Sequence, residues 1–115
     1  MRFRKKPVVI DATQWFQNCD HPQDYCTVVT PNENSATQFE PFLSEGKVVR
    51  YFNRPDIPGN TVCRHCKRIM HDHGWIDTLE GGHVVCPGDW IITGVRGENY
   101  PIKDSIFRET HEEAT

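Results

Sequence analysis

The spacing of hydrophobic residues along this chain predicts a fold built mainly of short β-strands. Between Pro7 and Phe16, the apolar residues Val8, Ile10 and Ala12 recur at every second position, as expected for a strand with one drier face. Further runs rich in β-branched and aromatic residues lie at 25–30, 47–52, 74–79, 83–86, 90–95 and 98–103. The pattern therefore predicts seven strands, four of which follow residue 73.

Tight turns join the last four predicted strands and indicate antiparallel hairpins. The segment 80–82 supplies the positive-φ glycine positions that a two-residue hairpin loop requires, and turns also lie at 87–89 and 96–97. Strands this close together predict a small, strongly bent antiparallel sheet or a partly open barrel. The predicted fold class is mainly β, with a minor α component.

The minor α component is a short helix near the end of the chain, where Asp104 or Ser105 can serve as its N-cap. Two segments earlier in the chain lack the strand pattern. Residues 31–35 have the composition of a turn. A compact apolar cluster follows, interrupted by a proline, and predicts a loop that covers the core or one helical turn; its members are Phe39, Phe42 and Leu43.

Length and composition indicate one domain, residues 1–115, with its core at about 61–103. The hydrophobic fraction is only 37%, and a modest core benefits from a metal staple. The formal charge of −3 argues against a general phosphate binder. The sequence shows neither a membrane-spanning apolar run nor a secretory signal core, so we expect a cytosolic protein with reduced thiols.

The chemistry of the sequence is concentrated in a zinc-knuckle insertion that begins at Cys63 and Cys66, spaced C-x2-C. This spacing lets two thiolates from one turn bind a single ion, and a tetrahedral site then needs two more ligands. The candidates are His65, His71, His73, His83 and Cys86. We predict a structural Zn²⁺ site whose ligands are Cys63, Cys66, His73 and Cys86. The main substitute for His73 is His71.

Other groupings favour weaker hypotheses. Cys19, His21 and Cys26 match no common knuckle spacing, so we interpret both cysteines as ordinary thiols. A zinc deaminase needs H-x-E and P-C-x-x-C, but the histidine pair here is H-D-H and Val62 precedes Cys63. No catalytic residues are predicted, and an enzymatic role is not favoured.

Two features allow for nucleic-acid binding. A basic patch on the knuckle, Arg64, Lys67 and Arg68, could contact phosphates, and Trp75 and Trp90 could stack on bases, although packing is the commoner role of tryptophan. The N-terminus is also basic and is either a phosphate-binding arm or a solvated edge that discourages aggregation, of which we favour the edge. Its basic residues are Arg2, Arg4, Lys5 and Lys6.

Longer motifs resemble a family of small proteins of tailed phages and prophages. T-L-E-G at 78–81, P-G-D-W-I-I-T-G-V-R-G-E-N-Y-P at 87–101 and R-K-K-P-V-V-I-D-A-T-Q-W at 4–15 are similar to that family's signature. One branch carries the C-x2-C pair and H-G-W-I-D-T, and this chain resembles that branch. Members without the pair tend to have serine or another small residue at the position where this chain has Cys86. This chain departs from the family at Ile102, where cysteine is frequent, at Lys67, where glycine is frequent, and at Asp104-Ser105 in place of Pro-Asp.

The resemblance implies phage origin and action in the cytoplasm of a host bacterium, and it implies no enzymatic activity. We therefore expect a non-enzymatic, zinc-stabilised accessory protein that binds a host or phage macromolecule, with a protein as the expected partner and no membrane association. The alternative is a zinc-knuckle protein that binds single-stranded nucleic acid. A zinc-dependent hydrolase or deaminase is a further alternative. The sequence leaves the oligomeric state open.

Overall fold

The computed structural model describes residues 1–4, 6–30 and 41–114, and it confirms a mainly β fold with one short C-terminal helix. Eight strands form three antiparallel sheets, which do not close into a barrel within the described residues. The elements are β1 (Asp11–Gln14), β2 (Val28–Val29), β3 (Phe42–Leu43), β4 (Arg50–Tyr51), β5 (Gly74–Thr78), β6 (Gly81–Val85), β7 (Trp90–Thr93), β8 (Asn99–Ile102) and α1 (Asp104–Thr110).

The first sheet has the strand order β1-β7-β8, so its central strand is the most apolar segment of the sequence. Ile91 and Ile92 on β7 are completely buried, which is expected of a short β-branched strand with partners on both edges. Gly88 has a φ of +98°, and this left-handed conformation lets the chain turn tightly from β6 into β7.

A second sheet, β4-β5-β6, packs against the first and completes the main core. The core residues come from distant parts of the sequence and are Trp15, Val49, Ile76, Val85 and Ile91. Gly74 allows the close approach within this core, because a Cβ there would lie 2.4 Å from a methyl group of Val49. The hairpin predicted between residues 74 and 86 therefore forms the packing surface for the first sheet.

The first strand is shorter than the sequence predicts. Pairing starts at Asp11, opposite Thr93, and the predicted alternation before it does not produce a buried face, since Val8 and Val9 are both exposed. The partner strand β7 ends at Thr93, where the chain turns back, so the described part of the chain offers no strand to pair with residues 7–10. Tertiary context, rather than strand propensity, sets this boundary.

The prediction that Phe42 and Leu43 cover the core is wrong. They form β3, pair with Val28 and Val29 of β2, and remain exposed. The strand expected at 25–30 is reduced to Val28 and Val29, because its partner β3 is only two residues long. The predicted turn at 31–35 and Phe39 lie outside the described residues.

Helix α1 begins at Asp104, and its N-cap is Lys103, whose side chain makes no capping hydrogen bond. The capping role predicted for Asp104 or Ser105 is therefore wrong. The Asp104 carboxylate instead accepts hydrogen bonds from Trp90 Nε1 at 2.9 Å and from Arg108 Nε at 3.0 Å. Trp90 also stacks on Phe107 with ring centroids 4.0 Å apart, so this indole fastens the helix to the first sheet.

Cys19 and Cys26 form a disulfide, which corrects the prediction of two ordinary thiols. Cys19 has a φ of +77° and Tyr25 a φ of +49°, and these left-handed residues bend the loop until the two Cα atoms lie 5.8 Å apart. Asp24 stabilises the same loop, because its buried carboxylate accepts the backbone N–H groups of Val48 and Val49 at 2.9 and 3.1 Å. Positive-φ positions other than glycine are poorly marked in a sequence.

Candidate metal centre

The C-x2-C segment folds as a tight knuckle. The carbonyl of Cys63 accepts the N–H of Lys67 at 3.1 Å, and the N–H of Cys63 donates to the carbonyl of Arg68 at 2.8 Å. The N–H of His65 also points at Cys63 Sγ, 3.4 Å away. Lys67 has a φ of +66°, so it occupies the left-handed position that glycine fills more easily. The chain thus returns on itself within six residues and turns both sulfur atoms to one side.

His73 is brought to the knuckle by a single 3₁₀ turn, Met70–Asp72. Its N–H donates to the carbonyl of Met70 at 3.0 Å. Its Nδ1 lies 2.9 Å from the carbonyl oxygen of Ile69, a distance at which a protonated Nδ1 donates a hydrogen bond. That bond leaves Nε2 unprotonated, and Nε2 lies 3.1 Å from Cys66 Sγ. The backbone therefore selects the tautomer that a metal ligand requires.

Cys86 reaches the knuckle from the sheet, because it immediately follows β6. Its N–H donates to Asp89 Oδ2 at 2.9 Å, which fixes the turn between β6 and β7. Asp89 is itself buried and receives both hydrogen bonds of the Lys103 ammonium group, at 3.0 and 3.1 Å. The carboxylate of Asp89 therefore caps the turn that the sequence predicts at 87–89. Sequence reasoning missed Lys103, because only the pairing of β8 with β7 brings it to this turn.

The structure brings all four sequence-predicted ligands together. One donor atom from each residue lies within 4.8 Å of every other, and the Sγ atoms of Cys63 and Cys86 are 3.8 Å apart. The members of this cluster, hereafter the Cys3His cluster, are Cys63, Cys66, His73 and Cys86. Three of the four are buried and Cys66 is half-buried, so the cluster is largely shielded from solvent.

The two buried thiols of the cluster have pKa values shifted in opposite directions. Burial raises the pKa of Cys86 to about 12, although the ammonium group of Lys103 acts in the opposite direction. Burial also acts to raise the pKa of Cys63, but hydrogen bonds led by the backbone groups of Cys66 and His65 outweigh it and hold that pKa below its ordinary value. A divalent cation supplies the charge that lets coordinating thiols lose their protons.

The imidazole of the cluster is kept neutral, because burial lowers the pKa of His73 despite its hydrogen bond to the carbonyl of Ile69. A neutral imidazole is the form that binds a metal. The arrangement can therefore offer three thiolates and one neutral nitrogen to a single ion.

The remaining sequence candidates lie outside the cluster. His71, the predicted substitute, is exposed and its ring packs against Gly59, where an added Cβ would lie 2.3 Å from the ring. His65 and His83 are exposed on other surfaces. The weaker grouping of Cys19, Cys26 and His21 is not a metal set, because the two cysteines are bonded to each other.

The fold treats the aromatic and the basic groups predicted as nucleic-acid contacts differently: the two tryptophans are packed against other side chains, and the basic residues are exposed. Trp90 is stacked on Phe107, and Trp75 is half-buried beneath the guanidinium group of Arg54, 5.7 Å from the ring centroid. The side chains of Arg64, Lys67 and Arg68 are exposed on the knuckle. Arg68 is also paired with Asp72 at 3.2 Å, which reduces the positive charge of this patch.

Comparison with known proteins adds no relative to this description. No protein-family model, no curated protein and no solved structure matches the chain. The resemblance to phage proteins therefore stays a prediction from the motifs. The described residues include no helix whose length and hydrophobicity would allow it to span a bilayer.

Proposed function

We propose that the Cys3His cluster binds one Zn²⁺ ion as a structural centre of a non-enzymatic binding protein. The observation that carries this proposal is the 3.8 Å separation of Cys63 Sγ and Cys86 Sγ. Two thiolates at the usual zinc–sulfur distance of about 2.3 Å, at tetrahedral angles, lie about 3.8 Å apart. The side chains therefore already have the spacing of two corners of a zinc tetrahedron.

Zinc is favoured by the chemistry of the donors and by their number. Three thiolates and an imidazole suit a borderline-soft ion without geometric preferences of its own, whereas oxygen-rich sites suit calcium and magnesium. Four protein donors fill a tetrahedral site, so no position is left for a reactive water. A structural role follows, in contrast to the three-ligand sites of zinc hydrolases and deaminases.

Metal content and coordination number test this proposal directly. We expect the purified protein to contain one zinc ion per chain by elemental analysis, and the cobalt-substituted protein to show the intense absorption of a tetrahedral thiolate site. Cys86→Ser should lose both signals. Protein that contains no stoichiometric zinc, or cobalt spectra of a five- or six-coordinate site, would contradict the structural assignment.

Recognition of a macromolecule is the biological role that fits a small domain whose described residues form no catalytic constellation. The phage-like motifs support a setting inside an infected bacterium, where the protein would act as an accessory to infection by binding a host or phage protein. Affinity capture from infected and uninfected cells, with the wild type and a metal-free Cys86→Ser variant, tests this role. A partner that is retained by the wild type and lost with the variant supports it; capture of no specific protein by the wild type opposes it.

Binding of single-stranded nucleic acid is the second candidate, favoured by the exposed Arg64, Lys67 and Arg68 on the knuckle. Zinc knuckles can recognise single strands with such residues. A fluorescence-anisotropy titration at low salt, with labelled single-stranded DNA and RNA, tests it. Binding that weakens in an Arg64→Ala/Lys67→Ala variant supports this function, and an absence of binding at micromolar protein removes it.

A further inference from the structure

The first ten residues, which we call the arm, are rich in apolar and basic residues and precede the first sheet, and those that the structure describes before Ile10 are exposed. Its described residues belong to no strand or helix. Phe3 and Val9 are 87% and 79% exposed, and Met1 and Val8 are also exposed. Large apolar side chains concentrated on one exposed segment mark an interaction surface more often than a solvated one.

The charge of the arm is opposite to that of the rest of the protein. Residues 1–6 hold four basic and no acidic residues. The whole chain has a formal charge of −3, so the other 109 residues, with 9 basic and 16 acidic residues, carry −7. A second copy of this chain therefore offers the arm a surface of complementary charge.

A cavity of about 440 Å³ lies between the β5–β6 hairpin and β8, and its chemistry matches the arm. Leu79, Tyr100 and Pro101 supply apolar surface, and Glu80 and Glu98 supply two carboxylates. Such a cavity suits an aromatic or aliphatic side chain that is flanked by cations. Residues 2–4 of the arm, R-F-R, have this composition.

The cavity and the base of the arm lie at the same end of the first sheet. Asp11, the first residue of β1, pairs with Thr93, and Thr93 pairs with Asn99, which lines the cavity. Adjacent strands are about 4.8 Å apart, so Asp11, where the arm joins the sheet, lies about 10 Å from Asn99 at the cavity. Phe3 lies eight residues before Asp11, and an extended chain of that length reaches about 26 Å. Two copies placed end to end about a two-fold axis can therefore exchange arms, each arm reaching the partner's cavity.

We propose that the cavity binds the arm of a second copy, with Phe3 seated among the apolar side chains and Arg2 and Arg4 paired with Glu80 and Glu98. In an extended segment the two arginines leave the chain on the face opposite Phe3, but their long side chains turn back to the rim of the cavity. The paired arms bury the apolar residues that the single chain exposes. This inference does not rest on the metal centre.

Sedimentation of the full-length protein tests the proposal. We expect a concentration-dependent dimer that weakens when salt is raised from about 50 mM to about 500 mM, because the paired charges are exposed and screened. Phe3→Ala should weaken dimerisation about tenfold or more, since it removes the buried ring. Phe16→Ala is the matched control, because Phe16 is also exposed but lies outside the arm, and it should leave the dimer unchanged.

Charge exchange separates this contact from an indirect effect on folding. Arg4→Glu and Glu80→Arg should each weaken the dimer several-fold, and the double variant should restore most of the affinity, because the reversed pair attracts again. Two unrelated folding defects would add instead of cancelling. A wild type that stays monomeric at every concentration, including one whose arm occupies its own cavity, overturns the proposal. A dimer whose affinity is unchanged by Phe3→Ala also overturns the proposal. So does a double variant that does not recover the affinity of dimerisation.

Discussion

Cys63 Sγ and Cys86 Sγ lie 3.8 Å apart although the two residues are 23 positions apart in the chain. One belongs to the knuckle and the other directly follows strand β6, so a shared ion would fasten the knuckle to the sheet that carries the main core. A second cluster of buried residues, which includes both cysteines and Met70, lies at this junction. The stability of this part of the molecule should therefore depend on the metal.

Replacement of each of the two neighbouring histidines by alanine should distinguish the predicted ligand, His73, from its substitute, His71. We expect His73→Ala to lose bound zinc and to lower the melting temperature as much as a chelator does, because three donors remain in the cluster. His71→Ala is the matched control and should retain one zinc ion, because the exposed His71 ring lies against Gly59 and outside the cluster. Elemental analysis and thermal melts with and without EDTA measure both effects. Equal loss of zinc from the two variants would contradict the assignment.

Replacement of Lys67 by glycine should stabilise the knuckle. Lys67 has a φ of +66°, and a left-handed conformation costs a residue with a Cβ about 1 kcal/mol. We expect Lys67→Gly to raise the free energy of unfolding by up to about 1 kcal/mol, and Lys67→Val to lower it by more, because β-branched residues fit this conformation worst. Chemical denaturation measures both. Arg64→Gly is the control, since Arg64 is in the same turn without a positive φ, and it should destabilise.

Loss of the Asp24 carboxylate should be among the most destabilising single changes in the protein. Asp24 is 1% exposed, and its oxygens accept the backbone N–H groups of His21, Val48 and Val49. We expect Asp24→Ala to lower the free energy of unfolding by about 3 kcal/mol, because buried donors are left without partners. The control Asp11→Ala removes an exposed carboxylate and should change stability by less than about 0.5 kcal/mol. Urea unfolding at neutral pH compares them.

Burial of His21 should make the protein less stable in mild acid. Burial lowers the pKa of His21 below the ordinary value of 6.5, although nearby Asp24 acts to raise it. Below about pH 6.5 the unfolded chain then binds more protons at this site than the folded chain, so stability falls as the pH falls and is unaffected above that range.

The variant His21→Asn isolates this contribution, because an amide oxygen can accept the N–H of Gln23 as His21 Nδ1 does at 3.1 Å, but it does not titrate. We expect denaturation midpoints measured from pH 8 to pH 5 to decrease less steeply in the variant than in the wild type. His65→Asn, at an exposed position, should keep the wild-type slope. Parallel curves for the His21 variant and the wild type would show that His21 does not contribute.

The sequence by itself determined the local features of this protein. Strand period and glycine turns located the hairpins between residues 74 and 102, because these elements pair with their neighbours in the chain. The C-x2-C spacing and the cysteine before Pro87 identified the three sulfur members of the Cys3His cluster for a similar reason: ligand type and spacing are properties of the sequence. The histidines after the C-x2-C pair favoured His73 as the fourth member and left His71 as its substitute.

Only the tertiary structure decided what depends on partners distant in the chain. The left-handed residues Cys19 and Tyr25 brought two cysteines into a disulfide that reduced-compartment reasoning had excluded. The short β7 ended the first strand's pairing at Asp11 and left an apolar arm exposed, although its alternation alone predicts a buried face. The choice of His73 over His71 was likewise made by a single 3₁₀ turn and one carbonyl group. Burial and pairing are relations between segments, and a pattern within one segment does not contain them.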